Sequence, residues 1–170
     1  MIMDAKEKKE LSTAYHEAGH AVAAIFLRYA RKPRKVTIIP SSAEGYLGLC
    51  SHSGYSGSVD FENGYFSPLQ TLQIYDHVVT CYAGPCAEKK FTGKKNYNEA
   101  ESDFYNSNTL LMRLSDGEVL TALSKYLFAC AENIVNVRWK EITLIAERLY
   151  AVKTLQRKEL YQLVIPGFKN

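Results

Sequence analysis

The sequence predicts a mainly α fold, a helical array carrying a small two-stranded β-ribbon, and three observations carry that prediction. Asp4 and Glu7 form a capping-box-like start to a stretch that only Gly19 interrupts until about residue 30. A short β-branched segment, KVTIIP at 35–40, follows, with a second extended candidate close behind it. The second half of the chain then returns to apolar residues at helical spacing.

Taken in order, the first helix should run from residue 4 to about residue 30, on the order of 40 Å at 1.5 Å per residue. Pro33 ends it. The basic run RKPRK at 31–35 sits where cations offset the negative end of the helix dipole. KVTIIP and then GYLGLC at 45–50 give the two strands of the ribbon. Residues 51–67 mix Gly, Ser and Tyr without period and read as a mobile loop. Ser67 followed by Pro68 is an N-cap with proline at the first helical position. Leu69, Leu72, Val79 and Tyr82 continue that helix, and Gly84-Pro85 should kink or restart it. A polar connection at 92–99 leads to a helix from about residue 100, with Asp103 in its first turn, and Ser115-Asp116-Gly117 breaks it. One long helix should then span about 118–151, with Leu120, Leu123, Leu127, Ile134, Ile142, Ile145 and Leu149 as core candidates. A short closing helix from near Thr154 would hold Leu155, Leu160 and Leu163. No repeat or linker divides the chain, so residues 1–170 read as a single domain.

Composition narrows the function. With 170 residues, 46% of them hydrophobic, the chain can bury one real core. A net charge of +3 from dispersed basic residues argues against a nucleic-acid partner. No apolar run approaches the roughly 20 residues of a spanning helix, so no membrane insertion is expected, and the charged start MIMDAKEKKE is unlike a signal peptide. Cys50, Cys81, Cys86 and Cys130 contain no CxxC pair, which argues against a thiolate zinc site. The expected setting is soluble, reduced and cytoplasmic.

The chemistry lies in HEAGH at 16–20. His16 and His20 are four apart, so a helix places both imidazoles on one face, within reach of one ion. Zinc takes nitrogen ligands at about 2.0–2.1 Å. Glu17, rotated by about 100°, stands beside that ion and suits a general base that takes a proton from water and later hands it to a leaving amine. Chance alone gives such a motif on the order of once in a hundred chains of this composition. Its neighbours Ala14, Ala18, Gly19, Ala21, Ala23 and Ala24 are small, which leaves room for another segment bringing a third ligand. Asp76, His77, Glu88, Glu99, Glu101 and Asp103 are all candidates for that ligand, whereas His52 lies in the predicted loop. Spacing does not choose between Glu88 and Asp103.

The blocks AYHEAGHAVAA, KVTIIP with its Gly-Tyr-containing strand, YAGPCAEKKFTG and ESDF, in that order, resemble the peptidase domain of the FtsH-type ATP-dependent zinc proteases. The segment AENIVNVRWKEITLIAERLYAVKTLQRKELYQLV resembles that family's final helices, so the likeness covers nearly all of the chain. The resemblance implies that His16, His20 and Asp103 hold Zn2+, that Glu17 is catalytic, and that Glu88 orients a ligand histidine, with Glu88 the runner-up ligand. It also implies that an extended substrate adds to the ribbon edge at Gly45, Tyr46, Leu47, Gly48 and Leu49.

Three departures qualify the likeness. No GxxxxGK[ST] loop is present, the segment between the Asp103 helix and the long helix is short, and Pro85 and Lys89 stand where the family has arginine and glutamate. The expected function is a stand-alone, ATP-independent zinc metalloendopeptidase acting on peptides or unfolded protein. The alternative is a weakly active or inactive zinc-binding module that associates with a partner such as a separate ATP-dependent protease. Nothing in the sequence indicates an oligomer.

Overall fold

The computed structural model describes residues 4–43, 45–52, 66–94 and 97–168, with 97–100 as backbone only. The fold is mainly α. Its first helix, α1 (Ala5–Phe26), opens on the predicted box: Asp4 accepts from the Glu7 N–H at 2.7 Å, and Glu7 accepts from the Asp4 N–H at 2.9 Å. It stops four residues earlier than expected, because Leu27 turns to an extended conformation. Lys32 then reaches back to the carbonyls of Ala24, Ile25 and Leu27 at 3.0, 3.2 and 2.6 Å. Those are oxygens a helix C-terminus leaves without N–H partners, so one residue of the basic run performs the role expected of the whole.

Strand β1 (Pro33–Thr37) pairs antiparallel with β2 (Leu49–His52) on one side and with β3 (Thr154–Gln156) on the other. The ribbon is therefore a three-stranded sheet in the order β2-β1-β3. The third strand occupies the residues expected to open the closing helix. Lys153 takes a left-handed conformation that ends the preceding helix, the Thr37 and Thr154 hydroxyls bond at 2.8 Å, and Leu155 is fully buried. Burial of that leucine opposite Val36 outweighs a weak helix start. Residues 45–48 are likewise not strand: the chain turns there, held by the Ser41–Tyr46 bridge. Of the predicted loop at 51–67, Ser51 and His52 sit on β2, and 53–65 lie outside the described residues.

Helix α2 (Pro68–Thr92) starts at the predicted Ser67 cap and runs unbroken through Pro85. A proline strains the residue before it mainly through that residue's Cβ, and Gly84 has none. Burial from Val78 to Glu88 holds the helix on course despite one lost backbone bond. Helix α3 (Tyr97–Leu111) begins earlier than expected, so Asp103 lies in its second turn. The predicted long helix is two, α4 (Gly117–Val137) and α5 (Trp139–Val152), separated at Arg138. The break lets α4 pack on α2 and α5 pack on α1. It is pinned by the Arg138 guanidinium, 3.9 Å above the Phe26 ring and 3.1 Å from Glu141, and by Trp139, whose ring lies 5.3 Å from that of Tyr15. Helix α6 (Arg157–Val164) closes the described chain.

The core gathers around α1, where Ala14, Ala18, Ala21 and Val22 are fully buried. Leu127, Ile142, Ile145, Leu149, Leu155 and Leu160 join it, whereas Leu120, Leu123, Ile134 and Leu163 are half-buried. Leu69 and Leu72, whose spacing with Val79 and Tyr82 marked the helix, are 50% and 40% exposed. Ile145→Ala removes buried methyl and methylene groups where α5 meets α1, and should lower unfolding free energy by about 2–5 kcal/mol in urea titration. A loss below 0.5 kcal/mol would contradict the packing described. Among the described residues, no helix is long and apolar enough to cross a membrane.

Candidate metal centre

Small residues set how closely α1 and α2 approach. A Cβ on Gly19 would come 2.5 Å from the Ala83 carbonyl oxygen and 2.8 Å from the Ala87 Cβ. The small face of α1 therefore receives α2, not the segment bearing Asp103 as its alanines had suggested. Gly84 of α2 is the counterpart: any Cβ there would overlap the His20 ring and come 2.9 Å from His16 Nε2. The two imidazoles lie in the space this glycine leaves open.

Asp103 comes in from α3. Its Oδ2 lies 3.0 Å from His16 Nε2 and 3.4 Å from His20 Nε2. His16, His20 and Asp103 offer donor atoms that all lie within 4.8 Å of one another, and no other such group of three occurs among the described residues. The opposite ring nitrogens are engaged elsewhere. His20 Nδ1 donates to the Thr80 carbonyl at 2.8 Å, and His16 Nδ1 donates to Glu88 Oε2 at 3.1 Å. Ser12, one turn before His16, donates to the other Glu88 oxygen at 2.8 Å. Each histidine thus turns Nε2 toward Asp103, an orientation that outer hydrogen bonds commonly impose on metal-ligating imidazoles. Glu88 stands behind His16, on the side away from Asp103.

Glu17 is 6% exposed and borders the same cleft, about 910 Å3 in volume. A Cβ on Gly48 would come 2.7 Å from Glu17 Oε1, so the turn before β2 lies against the carboxylate. The Cys50 backbone also hydrogen-bonds to Glu17. Burial raises the Glu17 carboxyl above its ordinary value, against the opposing pull of His20 and His16. Burial also disfavours a charged His16, but its hydrogen bonds to Asp103 and Glu88 more than offset that and raise it to about 10. Asp103 is held well below the usual carboxylate range: burial works against its ionisation, and the neighbouring His20 and His16 overcome it.

The other residues considered from the sequence fall in different places. Gly45, Tyr46, Leu47, Gly48 and Leu49 all line the cleft, as do His77, Glu101 and His52. Asp76 instead accepts from the Tyr29 N–H at 2.7 Å, near the end of α1, and the Glu99 side chain lies outside the described residues. Lys89 pairs with Glu132 of α4 at 3.1 Å. Sequence reasoning did not single out Ser12 or Thr80, took Gly84 only as part of a helix interruption, and named Gly48 only within the substrate strand. Ser12 was findable, being four residues before His16 on the same helix face. The Thr80 contribution is a backbone oxygen, on which side-chain identity is silent.

A helix presenting two histidines and a glutamate, met by a carboxylate from a second helix, has the donor set of a metallopeptidase. The sequence profile of Peptidase family M41 matches residues 1–114, and the chain belongs to that family. It is 25% identical over 190 residues to an ATP-dependent zinc metalloprotease FtsH of Aster yellows witches'-broom phytoplasma (strain AYWB), covering 95% of this chain and 26% of the relative. With FtsH 3 of Petrotoga mobilis the identity is 29% over 151 residues, covering 87% and 20%. With FtsH 2 of Alkaliphilus metalliredigens it is 36% over 83 residues, covering 49% and 11%. The chain thus spans about a quarter or less of the length of these relatives.

Proposed function

We propose that this protein is a zinc-dependent metalloendopeptidase that hydrolyses flexible or unfolded polypeptides laid in extended form against β2. The observation that carries this reading is a buried carboxylate, Glu17, beside a two-histidine, one-carboxylate donor set in an open cleft. The donor set fits zinc. Ligand bonds of about 2.0–2.1 Å at tetrahedral angles place neighbouring donor atoms about 3.3 Å apart, and the separations here are 3.0 and 3.4 Å. His16, His20 and Asp103 would hold the ion, leaving a position open.

Zinc bound there would act as a Lewis acid and lower the pKa of a water toward about 7. Glu17 takes the proton of the attacking water and returns it to the departing amine. Burial raises its carboxyl above the ordinary value, which makes it a stronger base than an exposed carboxylate. Strand β2 is an edge of the sheet, and residues 45–50 border the cleft. An extended peptide adding to that edge would lay its backbone across Glu17 and His20. Such a substrate must already be unfolded. The 170 residues contain no GxxxxGK[ST] loop, so unfolding a folded substrate is not work that these residues do.

The test is cleavage of an unfolded protein and a peptide library by protein carrying one equivalent of zinc, before and after chelation. Chelator-sensitive cleavage is expected. Stoichiometric zinc with no cleavage would replace this reading with that of a zinc-binding module acting through a partner.

The donor assignment has its own test. Asp103→Asn should lose zinc affinity by more than 100-fold, whereas Glu88→Gln, which loosens His16 without removing a donor, should lose about 10–100-fold. Equal losses would sink the distinction. Because metal-free His16 binds its proton up to about pH 10, zinc must displace a proton at neutral pH. Affinity should therefore fall about tenfold per pH unit for each proton displaced as pH drops.

A further inference from the structure

All four histidines of the chain line one cleft, although the donor set described above uses two of them. The others, His52 on β2 and His77 on α2, line the same cleft as Cys50 and Cys81. His52 Nδ1 lies 2.9 Å from the Arg31 carbonyl oxygen. A carbonyl only accepts, so Nδ1 carries the proton. Burial holds His52 down to about 4, against the Arg31 bond, and holds His77 at about 4 as well. His52 Nε2 is therefore a bare lone pair at neutral pH, with Nδ1 turned to a backbone carbonyl as that of His20 is.

His77 and Cys81 are four apart on α2, with Nε2 and Sγ 3.7 Å from each other. One ion bound tetrahedrally by a nitrogen at about 2.0–2.1 Å and a sulfur at about 2.3 Å sets those atoms about 3.6 Å apart. The absence of a CxxC pair argued against a thiolate zinc site. A site with one thiolate and imidazoles needs no CxxC.

We propose that His77 and Cys81, with His52 closing from β2, form a second cation site for a thiophilic ion of the Zn2+ or Cd2+ class, and that its occupation obstructs the peptide cleft. His52, His77 and Cys81 do not form a group with all donors within 4.8 Å, so His52 reaches the ion by turning its side chain, which releases the Arg31 carbonyl. On binding, the Cys81 S–H bond breaks, its proton leaves to solvent, and the sulfur pair forms the bond to the ion. No oxidation accompanies the step. The obstruction rests on the peptidase reading, whereas the binding does not.

The experiment is a Cd2+ titration of protein whose first site already holds one equivalent of zinc, followed by metal analysis, ultraviolet thiolate-to-cadmium absorption and peptide cleavage. A second equivalent should bind, the absorption band should appear, and cleavage should fall in parallel. Cys81→Ser and His77→Gln should keep the zinc, lose the band or weaken second-site affinity by at least about tenfold, and resist inhibition when each is compared with its own cleavage before Cd2+ is added. Glu17→Gln, which cleaves nothing if the peptidase reading holds, should still take up the second equivalent with its band, so binding is read independently of activity. Absence of a second equivalent would overturn the proposal. So would a band that survives Cys81→Ser, since Cys50, Cys86 or Cys130 would then supply the sulfur.

Discussion

Glu17→Gln is expected to lower peptide hydrolysis by about 10²–10⁴-fold, the usual contribution of a positioned general acid and base, while the protein retains one equivalent of zinc. The substitution keeps the shape of a side chain enclosed between the turn at Gly48 and the Cys50 backbone. On the proposed mechanism it removes the carboxylate that accepts the proton, and it alters neither imidazole. Circular dichroism and zinc content should match those of the unaltered protein, which separates a chemical defect from a folding one. The effect should appear in kcat rather than KM, because the carboxylate is not required to hold the peptide on β2. Unchanged cleavage with zinc still bound would remove Glu17 from the mechanism and leave the buried carboxyl without a chemical role.

The second large effect is expected at a residue with no side chain. Gly84→Ala places a methyl group into the His20 ring and against His16 Nε2. It also adds the Cβ whose absence lets Pro85 continue α2. Neither neighbour has slack. His20 is tied through Nδ1 to the Thr80 carbonyl, on the same helix one turn earlier, so the ring cannot retreat without releasing that bond. His16 is held by Glu88, which is held in turn by Ser12. Zinc binding should be lost, by more than 100-fold in affinity, and overpacking should cost about 1–3 kcal/mol of unfolding free energy. Titration with a chromophoric zinc competitor and urea denaturation would measure the two together. Full zinc affinity in Gly84→Ala would show that α1 and α2 can separate there without disturbing the donors.

What the sequence made legible was local. The caps at Asp4 and Ser67, the strand after Pro33 and the helical face shared by His16 and His20 each depend on residues within a turn or two of one another. What it hid was decided at long range. Arg138 looks like any helical residue until Phe26, more than a hundred positions away, lies beneath its guanidinium. Thr154 to Gln156 carry no strong strand signal, and they pair because β1 offers an edge and Leu155 a place to bury. Gly84-Pro85 read as an interruption because local rules weigh the lost backbone bond. The packing of α1, α3 and α4 around α2 is not visible in the dipeptide.

The donor residues were nominated by motif and resemblance, and their convergence depends on how α3 is carried across α2. The supports behind them were harder to read, because a carbonyl such as that of Thr80 and an absence such as the Gly84 Cβ leave little trace in residue type.

Helix α1 is shared property. Its cleft side belongs to the stretch that matches the family profile, residues 1–114. Its opposite flank is covered by α5, by the Trp139 ring against Tyr15 and by the Lys153–Glu10 ion pair at 2.6 Å, all supplied by residues after 114. The last strand then returns to pair with the one that follows α1. The segment that resembles a peptidase most strongly therefore supplies only one of the walls of α1, through α2. Cut away the final third of the chain, and the helix holding both histidines would lose the other before any donor atom had been touched.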